Sequence, residues 1–204
     1  IAKNVLLLTA ETYSKYLHEK DKGNKTIFGD AASATVISTE GFCKIGEFSL
    51  GTDVRGANNL IVRSGMGRVP NEVHDLKFDD SGNPISSDHL FMNGSEIFSF
   101  TQHNVPIVVN NALSKNELSK DDIAIYIFHQ ANSYMLNFLR KKLKIAEEHF
   151  LIDMEDIGNT VSNSLPIALK RSLNNQKIKA KDQVLLCGFG VGYSWGSTVL
   201  TFEG

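Results

Sequence analysis

The sequence predicts an α/β fold, a parallel sheet with helices packed on its faces. Two observations carry this. From Ile123 onward, apolar β-prone runs alternate with helical stripes in the order strand, helix, strand, helix, strand. Such a βαβαβ layout folds most economically as a parallel sheet. The strand runs are also apolar at consecutive positions, as in "AIYIF" (124–128), which is the pattern of a strand buried on both faces.

The elements follow in chain order. Val5–Thr9, within "IAKNVLLLTAETY", reads as a core strand already under way. A parallel strand needs neighbours and covered faces, so the N-terminal part of a larger protein is expected upstream. "EKDKGNK" (19–25) is a polar loop. "TIFGDAASATVIST" (26–39) joins a turn at Gly29-Asp30 to the small residues Ala31, Ala32, Ser33 and Ala34 and a β-branched run. Small residues in series predict close backbone approach to something packed on top. Residues 41–90, including "RSGMGRVPNEVHD", read as short strands and long loops.

From Asn93 the pattern turns helical: Ile97, Thr101, Val105, Val108 and Ala112 recur at three- and four-residue spacing, and Pro106 is expected to kink the middle. After the strand at 123–128, Met135, Phe138, Leu139, Leu143 and Ile145 form the apolar stripe of a second helix, with "RKK" (140–142) on its solvent side. "HFLID" (149–153) reads as a strand and "GNTVSNS" as a loop. "SLPIALKRSLNNQ" follows as a helix, with Ser164 placed to cap it and Pro166 in its first turn. "DQVLLCGFGVGYSWGSTVLTFEG" (182–204) closes the chain as two strands around a glycine-rich hairpin.

Composition narrows the functional classes. A chain that is 42% hydrophobic and 22% charged is an ordinary soluble globular protein. A net charge of −2 and the absence of a basic block argue against a nucleic-acid footprint, and no apolar run is long enough to span a membrane. Cys43 and Cys187 form neither a metal pattern nor a disulfide framework, which fits a reducing, cytoplasmic compartment.

"GFGVG" (188–192) invites a dinucleotide reading, but that motif needs a helix after the glycines. Tyr193, Trp195, Thr198, Val199 and Leu200 follow instead, which is strand chemistry. The hairpin is then either a plain tight turn or a device that exposes backbone N–H groups to a ligand oxygen. The strand ending in "HQAN" poses a similar choice. Strand ends are polar because they reach the surface, yet α/β folds also gather ligands at the carboxyl ends of their strands. His129 and Asn159 lie thirty positions apart, about one βαβ unit, so both can reach one edge of the sheet beside the glycine hairpin. Histidine, asparagine and backbone amides are hydrogen-bond donors suited to negative charge building on a carbonyl oxygen. As a metal site the set is poor, since no Cys, Asp or Glu stands at ligand spacing from His129.

"FGDAASATVI", "FMNGSEIF", "HQAN", "GNTVSNSLPIAL" and "GFGVGYSWGSTVL", in that order, resemble 3-oxoacyl-[acyl-carrier-protein] synthase III of the thiolase-like superfamily. The resemblance implies a layered αβαβα fold. Residues 1–40 would end the first thiolase-like half, 41–92 would be connecting strands and loops, and 93–204 the complete second half. It implies a decarboxylative condensation of an acyl-CoA primer with malonyl-acyl carrier protein, with no metal and no cofactor beyond the thioester substrates. His129 matches the family's catalytic histidine and Asn159 its catalytic asparagine. For that work the ring needs the right tautomer. Val191 stands where a family glycine offers its N–H to the oxyanion hole, and Phe189 where a phenylalanine flanks the reacting centre. Lys22 and Asn132 fall at substrate-binding positions. Lys141 and Lys142 match positions that dock the acidic carrier protein, although a solvated helix face explains them equally well. A homodimer of the complete enzyme is also implied.

Two departures and one absence qualify the match. Tyr134 replaces an arginine of the carrier-docking helix, and Lys22 replaces an arginine near the coenzyme A adenine, keeping the charge but losing planar stacking. The family's acyl-accepting cysteine lies upstream of residue 1, so the fragment alone is expected to be inactive. Two rivals stay open. One is a papain-like hydrolase using Cys43, His129 and Asn159, although Cys43 precedes a strand-like run rather than opening a helix. The other is a non-catalytic, acyl-binding thiolase-like subunit.

Overall fold

The computed structural model describes residues 2–203. Strand β1 (Val5–Glu11) pairs antiparallel with β2 (Ala31–Ile37), from Val5 opposite Ile37 to Glu11 opposite Ala31. The expected parallel core strand is therefore one arm of a two-stranded antiparallel ribbon. No described residues cover its apolar side chains: Leu8 is 66% exposed and Val36 70%. Residues 41–92 hold the predicted short strands: β3 (Cys43–Ile45), β4 (Ser49–Thr52), β5 (Leu60–Ile61), β6 (Lys77–Phe78), β7 (Pro84–Ile85) and β8 (Phe91–Met92). Carboxylates tie the intervening loop together: Asp88 accepts the N–H groups of Val73 and His74 and the hydroxyl of Ser64.

Helix α1 (Gly94–Lys115) starts at the predicted place because Asn93 accepts the Glu96 N–H as its cap. Pro106 lies inside α1 without ending it. Next come β9 (Ile123–Phe128), α2 (Ser133–Leu143), β10 (Phe150–Leu151), α3 (Ser164–Asn174), β11 (Gln183–Gly190) and β12 (Ser194–Phe202). The strand order is β10-β9-β11-β12-β3, with β4 also on β12. Strand β9 is parallel to β10 and β11, and β11 turns back into β12 as the predicted antiparallel hairpin.

Consecutive apolar residues in β9 serve two cores. Tyr126 and Phe128 point with Leu185 and Cys187 into a cluster with Val105, Val109, Leu136 and Leu139 of α1 and α2. Ile125 and Ile127 point the other way, with Val184, onto Ala168, Leu165 and Leu169 of α3. That alternation fixes which way the residues after β9 aim.

Two local expectations are corrected. Strand β10 is two residues long rather than spanning 149–153, because Glu147–His149 forms a 3-10 turn and the Asp153 N–H is taken by Gln130 Oε1 at 2.8 Å. Ser164 does not cap α3; it is the helix's first residue, its cap position is Asn163, and the Ser164 hydroxyl turns toward His129.

The close backbone approach expected at residues 31–34 falls just before them, at Phe28 and Gly29. Phe28 forms a parallel bridge with Asn159, in which the Asn159 N–H donates to Ile27 O at 2.8 Å and the Gly29 N–H to Asn159 O at 2.9 Å. A Cβ on Gly29 would overlap the Ile157 carbonyl oxygen. Gly158 has φ of +63°, and a Cβ there would stand 2.6 Å from Ile27 O. Gly29→Ala should therefore cost about 1–3 kcal/mol, the usual penalty of forced overpacking, and should loosen Asn159. Urea denaturation measures it; an unchanged midpoint would show that the contact is not tight.

Candidate active site

The site is built where β9 ends. The His129 N–H donates to Cys187 O at 2.8 Å, which carries the β9–β11 ladder one residue past the strand. The backbone then turns, with Ala131 N–H donating to His129 O at 2.9 Å, and Asn132 Oδ1 accepts the Met135 N–H at 2.8 Å to cap α2. A rigid strand and a capped helix thus clamp the four residues between them. By the alternation along β9, the His129 side chain leaves on the α3 side, where Nδ1 lies 2.7 Å from Ser164 Oγ. The Phe189 ring stands edge-on to the imidazole, with centroids 5.4 Å apart. Gln130 turns away as expected: it is 1% exposed, and its amide bonds Phe128 O, Leu151 O and the Asp153 N–H.

Asn159 is fixed from both ends. Its backbone pairs with the Phe28 segment, and its Oδ1 accepts the Val161 N–H at 2.9 Å. That leaves Nδ2 as the group available to a ligand, a donor. Val161 itself has φ of +54°, an outlier for a β-branched residue. From that conformation its N–H holds Asn159 while its carbonyl accepts the Ser164 hydroxyl at 2.8 Å. Strain of this kind persists where surrounding contacts over-determine it, commonly at functional sites. Neither Val161 nor Ser164 was singled out as a site residue by the sequence.

His129, Asn159, Phe189, Val191 and Asn132 line one cavity of about 330 Å³, with Tyr13 and Phe28 at its other wall. Those two rings lie 4.8 Å apart. The hairpin carrying Val191 is anchored behind it: Tyr193 stacks on Phe100 at 4.0 Å, and its hydroxyl accepts from Asn59 Nδ2 at 2.6 Å. The remaining predicted residues lie elsewhere. Lys22 is on an exposed turn and does not line this cavity. Lys141 and Lys142 are exposed at the C-terminal end of α2, where Lys142 Nζ sits 5.7 Å from the Phe138 ring centre. Tyr134, 73% exposed, packs beside Phe98 at 5.8 Å.

The cysteines do not join the site. Cys187 is fully buried in the α1–α2 core, and desolvation pushes its thiol well above the ordinary range. The His129 N–H bonds Cys187 O, and Cys187 faces Ser197 on β12. Cys43 pairs with Phe202, five residues farther along β12, or about 16 Å of strand, on the far side of β11 and β12 from His129. Burial raises the Cys43 thiol too. A hydrolase triad of Cys43, His129 and Asn159 is ruled out by that separation. No group of three or more metal-ligating side chains occurs among the described residues, and no helix among them is long and apolar enough to cross a membrane.

Burial lowers the His129 pKa from its ordinary 6.5 to about 4, partly offset by the Val161 backbone, so the ring is neutral at pH 7. The unfolded chain protonates His129 first as pH falls. The stability that the neutral ring contributes is therefore complete above pH 6.5 and lost as pH drops through 4. The loss is at most about 3 kcal/mol, since one ring edge opens onto the cavity. Denaturation of wild type and His129→Gln at pH 7 and pH 4 should show a smaller acid loss in the variant; equal losses would contradict the shift.

Comparison with known proteins bears on this geometry. The profile of the family 3-Oxoacyl-[acyl-carrier-protein (ACP)] synthase III matches residues 1–54, and that of its C-terminal part matches residues 113–202. A β-ketoacyl-[acyl-carrier-protein] synthase III of Clostridium perfringens is 35% identical over 200 residues, covering 98% of this chain and 59% of the relative. A counterpart from Porphyra umbilicalis is 31% identical over 207 residues, covering 98% of this chain and 60% of its own length. A crystal structure of a 3-oxoacyl-(acyl-carrier-protein) synthase III superposes with a TM-score of 0.92 at 45% identity, over 98% of this chain and 61% of that one. The synthase III from Thermus thermophilus gives 0.82 at 31% identity, over 100% of this chain and 60% of that one. The architecture is thus the thiolase-like one, and the chain spans about 60% of the length of these relatives.

Proposed function

The chain belongs to the 3-oxoacyl-[acyl-carrier-protein] synthase III family, and we propose that the whole protein joins an acyl-CoA primer to malonyl-acyl carrier protein by decarboxylative Claisen condensation, initiating fatty acid or polyketide-like synthesis. The observation that carries this is the convergence of His129, Asn159, Phe189 and the Val191 hairpin on one cavity, each held by contacts behind it.

In this reading the malonyl thioester oxygen sits between His129 and Asn159. As CO2 leaves, the electron pair of the breaking carbon–carbon bond becomes an enolate, and negative charge collects on that oxygen. Donors already aimed at it need no reorganisation, which is where such sites gain most of their rate. The enolate carbon then attacks an acyl group held as a cysteine thioester, whose carbonyl oxygen the Val191 N–H would receive. Phe189 flanks the reacting centre and restricts water. Lys141 and Lys142 would steer the acidic carrier protein, mainly through encounter rate. Lys22 would meet the coenzyme A phosphates or adenine, and Asn132 would contact the pantetheine from the cavity wall. The whole enzyme would be a homodimer, working in the cytoplasm without metal or cofactor.

The nucleophile is not Cys43 or Cys187, so this chain should form no thioester with acyl-CoA. A longer protein carrying the family's upstream cysteine should take up one acyl group per chain and release a 3-oxoacyl product from malonyl-acyl carrier protein. Mass spectrometry of both proteins after incubation decides it. Acylation of the 204-residue chain, or no 3-oxoacyl product from the longer protein, would overturn the proposal.

A further inference from the structure

The Ser164 hydroxyl and the Val161 backbone together hold the catalytic ring. Ser164 Oγ lies 2.7 Å from His129 Nδ1 and 2.8 Å from Val161 O, and the Gln130 N–H points at it from 3.3 Å. Ser164 is 2% exposed, so solvent hardly competes for these contacts. A hydroxyl has one hydrogen and two lone pairs. The Val161 carbonyl can only accept, so that contact uses the hydrogen. The Gln130 N–H takes one lone pair. His129 is left facing the other lone pair, and Nδ1 must therefore be the donor.

We propose that Ser164 is a positioning residue that locks His129 in the Nδ1–H tautomer and presents Nε2 to the cavity as a lone pair. The proposal rests on the reading of His129 as the residue that meets the substrate oxygen, and it changes how that meeting works. A neutral ring with its only proton on Nδ1 cannot donate through Nε2. To hold the developing oxyanion it first takes a proton at Nε2. The acyl-accepting thiol supplies it before acylation, and its thiolate takes the acyl group. Coenzyme A leaves as a thiolate, so the imidazolium is still in place when the malonyl group arrives. The imidazolium keeps its Nδ1–H on Ser164 throughout. Asn159 Nδ2 is then the neutral side-chain donor of the resting site, and His129 becomes a donor only by charging. The same residue couples the two groups: Val161 gives its carbonyl to Ser164 and its N–H to Asn159.

The position of a ring proton is set by the hydrogen bond on the other nitrogen, and nitrogen NMR reads it directly. In protein labelled with 15N-histidine at neutral pH, the His129 signals are identified by their loss in His129→Gln. Nδ1 should then show the protonated-type shift and Nε2 the lone-pair type. Ser164→Ala should move the proton predominantly to Nε2, and Ser164→Thr, which keeps the hydroxyl, should restore the wild-type pattern. A merely structural serine would leave the tautomer alone. Wild-type protein carrying its proton on Nε2 overturns the proposal without any variant, and so does an unchanged pattern in Ser164→Ala. Malonyl decarboxylation is assayed separately. A protein with the Nδ1–H signature that does not decarboxylate would sink the catalytic reading and leave the tautomer inference standing.

Discussion

His129→Ala, in a protein that carries the nucleophilic cysteine, should abolish decarboxylation of malonyl-acyl carrier protein while leaving acylation by acyl-CoA in place. The two half-reactions separate because they use different groups. Acyl transfer needs a thiolate and the backbone amides of the hairpin. The amides are untouched, and without the ring the thiol still loses its proton to water, so acylation slows but persists. Decarboxylation needs charge stabilisation on the malonyl oxygen, and the imidazole is one of two side chains aimed there. Loss of one preorganised oxyanion partner costs on the order of a hundred- to a thousandfold. Alanine also opens space beside Phe189 and frees the Ser164 hydroxyl, so water can enter where the ring stood. The substitution should not unfold the protein. His129 is half-buried, and its backbone bonds to Cys187 O and from Ala131 N–H do not depend on the ring. Labelled CO2 release and intact-protein mass spectrometry measure the two halves. Normal CO2 release would remove His129 from the chemistry, and loss of acylation as well would mean the substitution has disturbed the whole site.

How much of this was legible in the sequence depends on how local each cause is. The strand ending in His129 could be read because consecutive apolar residues need two covered faces, and β9 has them. The Asn132 cap and the turned-away Gln130 follow from short-range geometry, and both are found. The series Ala31, Ala32, Ser33 and Ala34 announced close packing nearby, and the tight approach falls just before it, at Gly29, where the Ile157 carbonyl stands. What failed was non-local. Ser164 has the right type and position for a cap, but its hydroxyl goes to a histidine thirty-five residues earlier, which helix rules do not weigh. Val161 has a left-handed backbone, and nothing in a valine signals one; the contacts of its N–H and carbonyl impose it. The shortness of β10 likewise comes from a glutamine side chain across the sheet. The exposed faces of β1 follow from the same rule as β9: an apolar strand wants covered faces, and the described residues do not supply them for β1.

Asn159→Asp tests the other half of the site with almost no change of shape. The wild-type amide divides its work: Oδ1 accepts the Val161 N–H, and Nδ2 remains to donate into the cavity. Aspartate keeps the first function, since a carboxylate oxygen accepts that N–H at least as well. The second function is inverted, because an acceptor now faces the oxygen on which the enolate charge collects. The loss therefore has two parts, a missing donor and a new repulsion, and decarboxylation should fall by on the order of a hundredfold or more. The fold should barely respond, because the backbone pairing of Asn159 with Ile27 and Gly29 is untouched. Acid gives the test a direction. Position 159 is buried, so desolvation raises the introduced carboxyl's pKa, and protonation restores a neutral group with one O–H donor. The variant's activity should recover as pH is lowered, over a range where the wild type does not gain. Asn159→Ala removes the donor without adding the charge, so it should be less impaired than Asn159→Asp at neutral pH. Equal activity of the two variants would show that no negative charge develops beside Asn159, and wild-type activity in Asn159→Asp would place the malonyl oxygen elsewhere.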